Sequence, residues 1–278
     1  MITAEVIIPS PALRPFVHHY WVMKASEISM STIIMPVGCM RWMFHRKRPF
    51  VVDGHTDFSI KASATGLYDK ALRISTDEPV EMITVFFHPH VSKAVRGGVP
   101  SKEFTADNVD MGQLESIEFK DLKARVLEAD NTDDCIGMIE DFVLKQVIKT
   151  QDSVYLQSLA HVFGIMAANP DVRIDELASA ACLSERQFRR VFVDNVGMTP
   201  KQLQRIMRFH LATTEILHHG DDSLEDVLFK YGYTDHSHFN HEFHDIVGMS
   251  PTEYKAFLNT MHSCGIMPVY RSYHAPKD

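Results

Sequence analysis

Cysteine is scarce and scattered: the chain of 278 residues has four, Cys39, Cys135, Cys182 and Cys264, with no Cys-x-x-Cys among them. That spacing excludes the disulfide framework of small secreted domains and a zinc ribbon. Cys182 falls in a short turn between apolar segments, where a small buried residue is expected to fill the core. No apolar run is long enough to cross a bilayer, and the first residues, Met-Ile-Thr-Ala-Glu-Val, lack the basic flank and apolar core of a secretion signal. A cytoplasmic protein without membrane contact is expected. Gly-x-Ser-x-Gly, His-Glu-x-x-His and a phosphate-cradling glycine loop are also missing. No catalytic residue, metal ligand set or cofactor is assigned, and an enzyme is not expected.

What the chain does have is an ordinary globular composition, 45% hydrophobic and 23% charged, at a length sufficient for two domains with their own cores. It also repeats itself. Phe188, Phe192, Gly197 and Pro200 recur 51 positions later as Phe239, Phe243, Gly248 and Pro251, while Glu176 and Leu183 recur 50 positions later as Asp226 and Tyr233. Landmarks held in register over that distance indicate an internal duplication of one supersecondary unit. The one-residue slip falls between the two helices of each copy.

In the first copy, Leu177, Ala178 and Ala181 share one face of a short helix. A turn follows at Cys182-Leu183, and Ser184 with Gln187 has capping-box spacing for a second helix. Phe188 and Phe192, four apart, form one stripe of that helix, leaving Arg186, Gln187, Arg189 and Arg190 on the remaining surface. Two short helices, a tight turn and a polar second helix make a helix-turn-helix, whose second helix enters the DNA major groove. The second copy repeats the plan with Gly232-Tyr233 in the turn and Thr234 expected as the cap. Its outward positions are His236, Ser237, Asn240, His241 and His244.

At these residues the chain resembles the AraC family of bacterial transcription regulators. The signature stands as Gly232-Tyr-Thr-Asp-His-Ser-His-Phe239-Asn-His-Glu-Phe243, then Gly248-Met-Ser-Pro251-Thr-Glu-Tyr254. The resemblance covers roughly the last third of the chain. It implies sequence-specific binding of double-stranded DNA through Arg186, Gln187, Arg189 and Arg190 of the first module, with Arg190 in the base-reading place. His236, Ser237, Asn240, His241 and His244 of the second module would also contact DNA. The chain departs from the family at His241, where arginine is usual, and at His244 and Asp245, where basic residues are usual.

Between the modules, residues 200–218 contain no internal glycine or proline and predict a connecting helix about 28 Å long at about 1.5 Å per residue. Successive major-groove faces recur at about 34 Å, so one chain can present both second helices to adjacent grooves. Charge opposes this reading in bulk, since residues 170–260 hold 14 Asp and Glu against 9 Lys and Arg. The expected answer is local: Arg186, Arg189 and Arg190, continued by Lys201, Arg205 and Arg208, form a basic stripe, while many acids sit at helix starts.

Residues 1 to about 115 read as β-rich, with short strands separated by turn signals that suggest a sandwich or open barrel. Ile33-Ile34-Met35, the turn Pro36-Val-Gly38 and Met40 to His45 predict a hairpin. The Leu-Arg-Pro-Phe-Val opening, Tyr20-Trp21, Met35-Pro-Val-Gly38 and Phe87-His-Pro89 resemble the sensor domains that precede AraC-type modules. That resemblance implies a small-molecule effector or a homodimer contact, and RNA polymerase as a partner if the protein activates. Trp21, Trp42, Phe44, His45 and Phe86 are the expected effector residues. His88-Pro-His90 has the His-x-His form of cupin metal sites but no spaced Glu and third His to complete it. A His-dependent metal sensor or cupin-like metalloenzyme is the alternative reading.

Helical periodicity begins near Phe119, with a break at Asp130-Asn-Thr-Asp and a further helix from Val154 to Ala168. The expected fold is α+β: an N-terminal β-rich small barrel or sandwich with helices, then an all-α domain of two helix-turn-helix modules joined by a long helix. The expected boundaries are 1–150 for the sensor or dimerisation domain, 151–262 for the DNA-binding domain and 263–278 for a tail.

Overall fold

The computed structural model describes residues 2–26, 29–52, 60–97, 99–100, 108–114, 116–150, 154–219 and 224–263. The boundary expected at 150–151 abuts residues 151–153, which lie outside this set, as does the tail beyond 263.

The N-terminal part contains strands β1 (Ile2–Ile7), β2 (Val17–Ala25), β3 (Met30–Ile34), β4 (Met40–His45), β5 (Val51–Val52), β6 (Ala62–Thr65), β7 (Leu72–Thr76), β8 (Val80–Phe87) and β9 (Asn108–Asp110). They form a six-stranded sheet in the order β1-β2-β8-β4-β6-β9 and a three-stranded sheet in the order β3-β7-β5. Register assigns the faces. Tyr20, Val85 and Trp42 are cross-strand neighbours, as are Val22, Ile83 and Phe44. Alternation along each strand puts Trp21, Thr84 and Met43, then Met23, Met82 and His45, on the opposite face. The first face packs on helices α2 (Ile117–Glu128) and α3 (Thr132–Thr150) through Phe119, Leu122, Ile139 and Val143. The second meets the small sheet, where Met23 and Met82 pack with Met30, Phe50 and Ile74. The arrangement is sandwich-like rather than a closed barrel.

The hairpin expected between β3 and β4 does not form. β3 pairs with β7, whereas β4 lies between β8 and β6 in the other sheet. The segment from Met35 to Cys39 carries the chain from one layer to the other. Gly38, at φ +67°, makes the bend, and a Cβ there would come within 2.9 Å of Leu203.

The remaining helices are α1 (Ser92–Val95), α4 (Val154–Ala168), α5 (Ile174–Ala180), α6 (Glu185–Val196), α7 (Pro200–His219), α8 (Leu224–Lys230), α9 (His236–Val247) and α10 (Pro251–Ser263). Helices α5 and α6 form the first module, and α8 and α9 the second. A single apolar cluster runs from the large sheet through α2, α3 and α4 to Leu177, Phe188, Phe192, Leu203 and Ile206. The second module has a separate cluster, Phe209, Leu228, Tyr233, Phe239, Phe243 and Tyr254, into which Ile33 and Met35 of the β-rich part insert. Both modules are thus packed directly against the N-terminal layers. Among the described residues no helix is long and apolar enough to cross a membrane.

Candidate nucleic-acid interface

Helix α6 begins with the full capping box, in which Ser184 Oγ accepts from the Gln187 N–H and the Gln187 side chain accepts from the Ser184 N–H. It ends at Gly197, whose φ of 97° supplies the left-handed C-cap. Phe188 and Phe192 are fully buried and, with Val191, Asn195 and Val196, form the inward face of the helix. Helix α9 repeats this with Gly248 as its C-cap, but its N-cap is Asp235, not the expected Thr234. Asp235 stands 51 positions after Ser184, so the second-helix offset includes the cap, and its carboxylate accepts from the His238 N–H at 2.8 Å. The connecting helix α7 and the final helix α10 also start alike, with capping boxes Thr199–Gln202 and Ser250–Glu253.

On α6, Arg186, Gln187, Arg189 and Arg190 are all exposed. Their commitments differ. Gln187 is held in the capping box, and Arg189 bonds Glu185 one turn back at 2.6 Å. Among the described residues, Arg186 and Arg190 have no ion-pair partner, which leaves two guanidinium groups on the outer surface. On α9, His236, Ser237, Asn240, His241 and His244 are likewise exposed, and His236 lies 3.7 Å from Glu225. Each set is therefore brought to one outer helix surface.

The basic stripe expected to run onto α7 is shorter than the sequence suggests. Arg205 is bonded to Glu242 at 2.7 Å and to Asp245 at 2.5 Å, and Arg208 lies between Glu242 at 3.5 Å and Asp171 at 3.6 Å, over the Tyr233 ring. These cations buttress α9 against α7. Glu242 is buried between them, and Asp245 is held at a pKa of about 2 by Lys70 and then Arg205. Lys201 remains exposed. Sequence reasoning missed Glu242, although a carboxylate beside Phe243 on the apolar side of α9 signals a buried partner.

Cys182 is also not the buried filler expected. It is exposed and left-handed, with φ 56°. The chain must turn sharply there, and the backbone conformation directs the small side chain outward.

The five expected effector residues fall on two faces of the large sheet. Trp42 and Phe44 point into the core under α2 and α3, where the Trp42 indole donates to the Val95 carbonyl at 2.9 Å. Trp21, His45 and Phe86 share the opposite face with Arg41, His19 and Thr84. There Arg41 Nε, His19 Nε2 and Thr84 Oγ1 are buried without a hydrogen-bond partner among the described residues. Arg41 sits over the Tyr68 ring at 4.8 Å, and His19 stacks on Phe86. His88 and His90 stack at 5.8 Å near the start of α1. Among the described residues, no three His, Cys, Asp or Glu side chains group as metal ligands.

Residues 177–256 match the model of a helix-turn-helix domain family, spanning both modules and α7. The C-terminal segment is an AraC-type helix-turn-helix domain. Residues 5–110 match a second model, described as a domain of unknown function, DUF6597. The chain is 32% identical over 87 residues to LumQ of Photobacterium leiognathi, named a probable transcriptional regulator, covering 31% of this chain and 35% of that protein. It is 28% identical over 83 residues to the transcriptional activator RhaS of Shigella boydii, covering 30% of each. The chain thus spans about a third of the length of these curated relatives. Among solved structures, ToxT of Vibrio cholerae aligns at TM-score 0.47 and 10% identity, over 92% of this chain and 98% of that one.

Proposed function

We propose that this protein is a cytoplasmic transcription regulator that binds specific double-stranded DNA with both helices α6 and α9, under control of its β-rich domain. The observation that carries the reading is the duplicated module in an AraC-type domain. It presents two exposed polar helices joined through α7, whose 20 residues span about 30 Å. Arg186 and Arg190 read or neutralise DNA from the first module, and Asn240, His241 and His244 meet it from the second. We place the effector on the face of the large sheet that carries Trp21, Phe86, Arg41 and Thr84, which offers both an apolar wall and unsatisfied polar atoms. A homodimer and, for an activator, RNA polymerase complete the set of partners.

Selection of bound fragments from genomic DNA tests the reading. One sequence class should be enriched, and its affinity should fall steeply with salt as counterions are released. No enrichment, or an affinity flat in salt, would refute it.

A further inference from the structure

Asp194 and Asp245 are equivalent residues of the duplicated module, 51 positions apart and each in the last turn of its recognition helix. In both helices the preceding turn closes in the same way: the Gly197 N–H donates to the Val193 carbonyl, and the Gly248 N–H to the His244 carbonyl. The carbonyl that comes next, Asp194 or Asp245, has no partner within its own helix, as expected for a helix end. Each is taken by a cation of the β-rich part. Arg96, just after α1, donates from Nη2 to the Asp194 carbonyl at 3.0 Å. Lys70, just before β7, donates from Nζ to the Asp245 carbonyl at 2.6 Å and to its carboxylate at 2.5 Å.

We propose that the β-rich domain fixes the separation of the two recognition helices by gripping the same carbonyl of each, with Arg96 and Lys70 as positioning residues that set the spacing of the DNA elements read. The electrostatics favour the grip twice over, since the C-terminal end of a helix carries partial negative charge. Arg96 is buried, which makes its point rigid. Lys70 is half exposed, and its ion pair alone would hold little. Its neighbour completes the second point: the Ala71 N–H donates to the Ile246 carbonyl at 2.7 Å. Helix α7 links the modules through the chain, and this pair of contacts ties both of them to the β-rich part as well. A helix joint braced at both ends cannot follow a change in groove spacing.

The inference rests on the DNA-binding reading above, and the experiment separates the two. From a duplex chosen by selection, one base pair is inserted between the two half-elements, which displaces the second by about 3.4 Å and turns it by about 34°. Wild type should lose about tenfold or more in affinity, the order of a mismatched position. With Arg96→Ala and Lys70→Ala combined, the insertion should lose less than about threefold, and Arg96→Lys with Lys70→Arg should restore the larger loss. General destabilisation would lower affinity at both spacings alike and leave their ratio unchanged. If the double variant fails to fold, the exposed Lys70→Ala alone should still narrow the ratio. A ratio equal to that of wild type in folded variants, or a wild type indifferent to the insertion, overturns the grip. Failure of wild type to bind any duplex overturns the DNA reading itself, and the grip with it.

Discussion

Cys182 and Gly232 occupy the same turn of the two modules, and both are left-handed, at φ 56° and 74°. Glycine adopts this conformation freely, whereas a residue with a Cβ meets its own carbonyl oxygen at a penalty of about 1 to 2 kcal/mol. The first module carries that strain, and the second does not. Cys182→Gly should therefore raise stability by about 0.5 to 1 kcal/mol, reduced from the full strain by the greater freedom of glycine in the unfolded chain. Urea unfolding of the two proteins measures it, and a lower midpoint for the variant would contradict the assignment. Gly232→Ala should destabilise for two reasons, since its Cβ would also come within 2.6 Å of Asp171 Oδ2.

Arg190 lies two residues beyond Phe188, on the outer surface of α6, with no acid holding it among the described residues. Arg189, one position earlier, is held by Glu185. Arg190→Ala should weaken binding to a selected duplex by about 1 to 3 kcal/mol and broaden the bases accepted at one position. Arg189→Ala should lose less, because binding must first break its ion pair. Titration of matched and single-substituted duplexes reads both, and unchanged preference in a folded Arg190→Ala protein would remove α6 from the groove.

A group of histidines at the joint between sheet and α7 sets a lower pH limit on the fold. His18 Nδ1 and His19 Nδ1 are 2.6 Å apart, and His18 also meets His88 edge-on. Burial, followed by the charge of neighbouring imidazoles, pushes His19 down to about 3, and His18, His90 and His210 to about 4. Because the folded values lie below the unfolded value of about 6.5, the unfolded chain takes up these protons first as pH falls. Stability is thus full above about 6.5 and is lost progressively as pH drops toward about 4. The urea midpoint should be clearly lower at pH 5 than at 7.5, and His90→Gln should lessen the difference. Equal midpoints at the two pH values would show that the buried imidazoles do not control this range.

The parts legible in the sequence were those written locally. Phe188 and Phe239, the glycine C-caps and the Ser184–Gln187 box each act within a turn or two, so spacing alone located both recognition helices. The second cap moved from Thr234 to Asp235 because the break between the 50- and 51-residue offsets lies one residue earlier than the turn suggested. Non-local choices were not legible. Arg205 and Arg208 look like phosphate contacts on a bare helix, and only the folding back of α9 brings Glu242 and Asp245 to them. The β3–β4 hairpin failed similarly, because the Met35 to Cys39 segment turns between layers and the strand partners come from residues 72–76 and 80–87. Aromatic content pointed to Trp42, but strand parity determines which face a residue lines, and parity separates Trp42 from Trp21 and Phe86.

The two modules should contribute unequally to DNA affinity, and a single substitution should reduce the inequality. Among the described residues, helix α6 offers Arg186 and Arg190 without acid partners, whereas the acids of α9 are already neutralised within the protein: Glu242 by Arg205 and Arg208, and Asp245 by Lys70 and Arg205. What α9 presents outward is Ser237, Asn240 and imidazoles, with no arginine or lysine between His236 and Val247. His241→Arg places a permanent charge on that exposed surface, two residues beyond Phe239, as Arg190 lies two beyond Phe188. If α9 lies along a phosphate backbone, the variant should bind a selected duplex more tightly and steepen the salt dependence by about one counterion. Asp245 should not interfere, because Lys70 and Arg205 occupy both of its carboxylate oxygens. Affinity measured across a salt series for wild type and His241→Arg decides the matter. Parallel lines would mean that the 241 position faces no phosphate, and that α9 docks by shape or not at all.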